Sequence, residues 1–292
     1  MQGFTLIEMI TVMVISSIIA SVVWRAISPQ IEGVEDTTRR AKLVDITETA
    51  LSRMTRELRL ALPNSIRVNA GGTAIEFLRI LTGGRYRAQP DATNNDVCAG
   101  PDTDSINLAS SSDCFEALGG LQNVTQIVAG AGGRAGCLAS NIDCLVIYNS
   151  GQTGADAYAG DNVAGIAAAT STANGVAIKF DRSDTGTVLP RGSPTQRFYI
   201  VDTPVSFVCD LTAQSINRYA NYSIAVTQAV PPAAAAQALA TQVTACSFTY
   251  TPGTATRAGL VSVQLTVSGR DVSSGAMESI TLLDQVNVSN AP

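Results

Sequence analysis

Gly3-Phe4-Thr5-Leu6-Ile7-Glu8-Met9-Ile10-Thr11-Val12-Met13-Val14-Ile15-Ser16-Ser17-Ile18-Ile19-Ala20-Ser21-Val22-Val23-Trp24 stands at the head of the chain. From Phe4 to Trp24 the run contains one charge, Glu8, and Arg25 closes it. At ~1.5 Å per residue such a helix spans about 30 Å, the thickness of a bilayer core. A cleaved secretory signal has a basic start, a shorter apolar core and a small-residue cut after it. Nothing basic precedes this run and its apolar stretch is long, so it reads as an anchor that stays on the chain. A carboxylate inside an apolar span costs roughly 2.5–3.5 kcal/mol. Glu8 therefore reads either as a functional group with a partner or as a side chain reaching headgroup water.

The helical pattern continues beyond the anchor. Ile27, Ile31, Val34, Thr38 and Ala41, then Leu43, Ile46, Ala50, Met54, Leu58 and Leu62, recur at helical spacing. Glu35→Arg39 and Asp36→Arg40 are i,i+4 pairs of favourable order. Pro29 is expected to kink the helix, and Pro63 with Asn64 to stop it. The expectation is one helix from Phe4 to Leu62, apolar at one end and amphipathic at the other.

The hexapeptide Gly3-Phe4-Thr5-Leu6-Ile7-Glu8 before an apolar helix resembles the signature of type IV prepilins. The resemblance implies that a prepilin peptidase cuts between Gly3 and Phe4 and that Phe4 becomes the N-methylated terminus. It also implies that Glu8 pairs with the terminal amine of a neighbouring subunit and sets the axial register of packed helices. The leader Met1-Gln2-Gly3 departs from the family pattern in lacking lysine or arginine, so orientation rests on resemblance rather than on flanking charge.

Past residue 64 the pattern turns to strands: Thr73–Ile80, Leu145–Asn149, Val176–Phe180, Phe198–Val201 and Val205–Leu211, then Ile216–Tyr219, Ser223–Val226, Val243–Tyr250, Leu260–Ser268 and Ser279–Val288. Short strands with Gly, Pro and Asn between them predict antiparallel sheet. The fold class expected is α+β, a long N-terminal helix packed on an antiparallel β-sheet body. The expected division is a leader over 1–3, a transmembrane half over 4–27, an amphipathic half over 28–63 and a β-rich body over 64–292. Within the body, residues 82–175 are rich in Gly, Ala, Ser, Asn and Asp and read as an insertion or long surface loops. Pro231–Ala240 reads as a short helix, with Pro232 in its first turn.

Six cysteines lie at Cys98, Cys114, Cys137, Cys144, Cys209 and Cys246, with no metal-like spacing. Outside the cytoplasm they form up to three bridges in any of about 15 connectivities. Sequence proximity favours Cys98–Cys114, Cys137–Cys144 and Cys209–Cys246. The alternative is six buried thiols.

Composition narrows the function. The 292 residues include no histidine, two lysines and 15% charged side chains, with net charge −5. That excludes Ser-His-Asp and Cys-His nucleophile pairs and imidazole bases, and it argues against an enzyme. No cofactor or metal is expected, and an acidic chain argues against nucleic acid. Asp91, Asp96, Asp102 and Asp104 lack EF-hand spacing and read as a solvated loop. Arg53, Arg56 and Arg59 form a helix stripe, read as a solvated face or intersubunit ion pairs.

Within the prepilin family, Val201–Asp210, Ala245–Tyr250 and Gln285–Pro292 resemble MshO-type minor pilins of mannose-sensitive haemagglutinin (MSHA) pilus biogenesis. This implies an inner-membrane protein with its body in the periplasm, later part of a pilus fibre at the cell surface. The implied partners are major and minor pilins, prepilin peptidase, the inner-membrane assembly platform and the membrane. The implied role is to prime assembly or to sit at or near the tip. The alternatives are a minor pseudopilin of type II secretion and a tip adhesin.

Overall fold

The computed structural model describes residues 5–89, 98, 105–106, 113–171, 175–181, 189, 191–254, 257–271 and 275–292. Helix α1 (Leu6–Leu58, 53 residues) carries the N-terminal apolar run and continues through Pro29. A mostly antiparallel β body follows, giving the α+β pilin-like fold. The helix ends four residues before Leu62, with Arg59 as its C-cap. Ala61 and Leu62 leave it to bridge Arg79 and Leu78 of the first long strand.

Two strand systems meet α1. β1 (Arg67–Val68), β2 (Ala74–Tyr86), β3 (Cys114–Leu118), β4 (Cys144–Val146), β5 (Val163–Ser171), β6 (Gly175–Asp181), β7 (Arg197–Asp210), β8 (Ser215–Ala220) and β9 (Gln237–Thr241) form one sheet. β10 (Val243–Thr251), β11 (Gly259–Arg270) and β12 (Met277–Val288) form a second. The buried face of α1 presents Leu43, Ala50, Leu51, Met54 and Leu58 to Phe77 and Phe207 of the first sheet and to Val263, Leu265 and Val267 of the second. That stripe at three- and four-residue spacing is the reason the second half of the helix docks.

The ion pairs along α1 differ from the i,i+4 expectation. Arg39 pairs with Asp36 at 2.9 Å, Asp271 at 3.6 Å and Glu278 at 3.0 Å. Arg40 also reaches Glu278. β12 brings a carboxylate between the two arginines, so they clamp the sheet instead of Glu35. Arg39 holds the Glu278 carboxyl below its ordinary range. Lower down, Arg218 of β8 donates to Glu57 at 2.9 Å and fastens the helix end.

The segment read as an insertion or long surface loops supplies strands to the first sheet: the end of β2, then β3, β4 and β5. β2 pairs with β3, β3 with β6, β6 with β5, β5 with β4, β4 with β7, and β7 returns to β2, all antiparallel. The order closes into a ring. Alternate residues point inward: Phe115 and Ala117, Val176, Ile178 and Phe180, Ala164 and Ile166, Phe198 and Ile200. They fill the ring as a second core, as a small closed barrel requires. Closure also removes free strand edges. The glycine and alanine content that resembles loop composition has a packing cause. A Cβ on Gly165 of β5 would lie 2.1 Å from the Gly133 carbonyl oxygen, because the short helix α2 (Gly133–Leu138) lies directly on that strand.

Three further expectations change. The two runs Phe198–Val201 and Val205–Leu211 are one strand, β7, despite Pro204. Pro204 sits opposite Leu78 of β2, where the other neighbour changes from β4, ending at Val201, to β8, beginning at Val205. No ladder partner on that side asks for its missing N–H. Ser223–Val226 is irregular rather than strand, its carbonyls at Ala225 and Val226 taken by Arg67. Pro231–Ala240 is not a helix: its end enters β9, paired to β8.

Candidate functional site

Helix α1 begins with Thr5 as N-cap, whose extended backbone and Oγ1 receive the Glu8 N–H at 3.4 Å. Glu8 thus lies in the first turn, where the exposed amide ends favour an anion. From Leu6 to Trp24 the helix lies away from the body. Leu6 is 79% exposed, Trp24 is 72% exposed, and the large apolar side chains between them are exposed throughout. The helix is long and apolar enough to cross a bilayer. Three of its hydroxyls bond within the helix: Thr11 donates to the Glu8 carbonyl at 2.9 Å, Ser17 to the Val14 carbonyl and Ser21 to the Ile18 carbonyl at 2.8 Å. The helical backbone and these three hydroxyls therefore enter an apolar setting already paired. Among the described residues, the Glu8 carboxylate has no hydrogen-bonded or ionic partner. Gly3 and Phe4 lie outside the described residues.

Residues 1–24 match the prokaryotic N-terminal methylation motif. The match spans Gly3, Phe4 and Glu8 and supports a type IV prepilin-like family, that is, a pilin or pseudopilin-type protein. A methylation-motif protein of this kind points to structural rather than catalytic work, to assembly with other pilins and to processing by a peptidase. The motif with the exposed apolar helix fits a membrane-anchored pilin that later enters a fibre. Neither a curated protein nor a solved structure matches the chain significantly.

The body brings the cysteines together as Cys98–Cys114, Cys137–Cys144 and Cys209–Cys246, with Cα separations of 5.6, 5.1 and 6.6 Å. The first ties the start of β3, the second ties α2 to β4, and the third joins β7 to β10 across the two sheets. Arg53, Arg56 and Arg59 are exposed along α1. The acidic group Asp91, Asp96, Asp102 and Asp104 lies outside the described residues. Among the described residues no cluster of three or more Cys, Asp or Glu stands ready for a metal.

Two polar features escape a linear reading because their members are far apart in sequence. Glu76, buried in β2, pairs with Arg67 at 2.9 Å and accepts from the Tyr222 hydroxyl at 3.2 Å. Arg67 also lies 3.7 Å over the Tyr158 ring. The second feature is a cleft of about 430 Å³ between the end of α1 and the ring, holding Arg79, Asp202 and Asp143. Arg79 donates to both carboxylate oxygens of Asp202 at 3.1 Å. Asp143 is 3% exposed and accepts the Val128 N–H at 2.9 Å. Burial pushes its carboxyl up to about 6, the Val128 N–H opposes this, Asp202 adds to it and Arg79 opposes it.

The sign of the pH effect follows. Between about 4 and 6 the folded chain holds a proton on Asp143 that the unfolded chain has released, so this group's contribution to stability falls as pH rises through that window. Asp143→Asn keeps an acceptor for Val128 and removes the charge. Its urea midpoint is expected to vary less than wild type between pH 4 and 6. At pH 7 it should match or exceed wild type by about 1 kcal/mol. A steeper pH dependence in the variant would contradict the assignment.

Proposed function

We propose that the chain is a minor type IV pilin of MSHA-like type, cut between Gly3 and Phe4, N-methylated at Phe4, and incorporated through α1 at or near the tip of a fibre. The observation that carries this reading is the apolar half of α1. Thr11, Ser17 and Ser21 bond carbonyls of the helix itself, the apolar surface is uncovered, and the Glu8 carboxylate, the one charge between Phe4 and Trp24, has no partner among the described residues. A buried carboxylate of this kind asks for one cation at one height, which the freed amine of Phe4 in a neighbouring subunit supplies. The closed ring added to the sheet favours a minor subunit, because a body this wide crowds a tightly packed shaft. Retention of Glu8 favours a position just below the tip over the terminal cap. The body would lie in the periplasm before assembly.

Mass spectrometry of the membrane-extracted protein tests the processing step. The expected terminus is Phe4 carrying one methyl group, and Gly3→Val is expected to abolish the cut. An intact Met1 in the assembled protein would remove the prepilin reading. The methylation motif equally suits a pseudopilin of type II secretion. A deletion strain separates the two: loss of surface fibres with normal exoprotein secretion supports the pilin, and the reverse supports the pseudopilin.

A further inference from the structure

The outer wall of the ring carries a charge arrangement that the fold does not need. Arg85 of β2 lies directly opposite Arg197 of β7, with Leu118 of β3 on its other side. One row along, Gly83 lies opposite Tyr199. The neighbours Tyr86, Phe198 and Ile200 fill the interior, so alternation turns Arg85, Arg197 and Tyr199 outward. Together with Gly83 and Leu118 they line a cleft of about 520 Å³. Like charges placed directly across a ladder destabilise it. Arg67, Arg79 and Arg218 of the body each meet a carboxylate, and Arg85 and Arg197 differ from the other arginines in facing each other across one ladder position. Among the described residues, Arg85 and Arg197 have no ion-pair partner.

The rest of the cleft is fixed. The Tyr199 hydroxyl donates to the Ala291 carbonyl at 3.2 Å, which anchors the ring. A Cβ on Gly83 would come within 3.0 Å of that ring, so glycine keeps the floor low beneath it. Two guanidinium groups, each a planar fork of donors matched to carboxylate and phosphate oxygens, thus face one cavity with an aromatic wall and an apolar rim.

We propose that this cleft binds an oxyanion, a carboxylate or phosphate group, through Arg85 and Arg197. The ligand's charge offsets the repulsion that the empty cleft sustains. The inference rests on the ring alone and stands whether or not α1 enters a fibre. A free ion and an acidic sugar present the same group. The low floor and the tyrosine wall leave room for the sugar ring that carries it.

The test uses the full chain in uncharged detergent, at constant ionic strength set with sodium chloride. The thermal midpoint is followed while sodium phosphate, glucuronate or an oligogalacturonate replaces chloride. A saturable rise is expected for wild type. In Arg85→Gln and in Arg197→Gln the apparent affinity should fall at least ~10-fold, the loss expected from one charged hydrogen bond. Both variants in chloride alone should melt at or above the wild-type midpoint, because the repulsion is gone. Arg53→Gln, on the helix, should behave as wild type. Oligogalacturonate binding ~10-fold or more tighter than glucuronate marks a glycan-borne group, and equal binding marks the free ion. A response no different from chloride, or one retained in both ring variants, overturns the proposal.

Discussion

Replacing Glu8 with alanine is expected to leave the chain in the membrane fraction while lowering its incorporation into fibres roughly a hundredfold. The two halves of this result have different causes. Insertion depends on transfer of the apolar run, and removing a carboxylate from it lowers the cost by roughly 2.5–3.5 kcal/mol. Insertion is therefore expected to improve. Incorporation depends on packing α1 against other helices. On the proposed register role the carboxylate, the one charge in the apolar run, asks for a cation from a neighbouring helix, whereas Thr11, Ser17 and Ser21 already bond carbonyls of their own helix. Taking away one member of a buried ion pair costs about 3–5 kcal/mol, because the other charge is left alone. Glu8→Gln keeps the shape and loses the charge, so it should fall between wild type and alanine. Quantitative blots of membranes and of sheared fibres, with co-purification of partner pilins, give both readouts. Unchanged co-purification would remove the register role.

Serine at both Cys209 and Cys246 is expected to lower the stability of the body by about 4 kcal/mol. The bridge closes a sequence separation of 37 residues, the longest of the three. It is also the covalent tie between β7 and β10, which belong to sheets that share no strand. Loop-closure entropy sets the order of effect: about 4 kcal/mol for this pair, about 3 for Cys98–Cys114 and about 2 for Cys137–Cys144. Urea unfolding of the three double-serine variants under oxidising conditions measures the series. The largest loss from Cys137–Cys144 would show that native packing, not the tether, governs these bridges.

The helix and the pilin-type lobe were legible because their signals are local. The stripe Leu43, Ile46, Ala50, Met54, Leu58 repeats within one element, and the last three strands alternate cleanly. The ring was not legible. β5 reads Val-Ala-Gly-Ile-Ala-Ala-Ala-Thr-Ser, and its Gly165 admits α2 rather than forming a turn, a cause that lies in another segment. Phe198–Val201 and Val205–Leu211 read as separate runs because the change of neighbour that lets β7 pass through Pro204 lies in β4 and β8. In the candidate site, the motif and Glu8 follow from six consecutive residues. The facing of Arg85 and Arg197 needs a register across more than a hundred positions, and no spacing announces it.

The ring is not attached to the rest of the body by a linker. Its closing members are the far ends of β2 and β7, whose near ends face α1, and the two strands pair from Ala74 to Arg85 against Val208 to Arg197. A pull on the ring therefore travels to the helix along two unbroken backbones held side by side, loaded in shear. The ladder is irregular only around Ile80, where its register shifts, and both strands continue through that point. In the fibre proposed above, tension on the outer lobe would reach α1 with little slack.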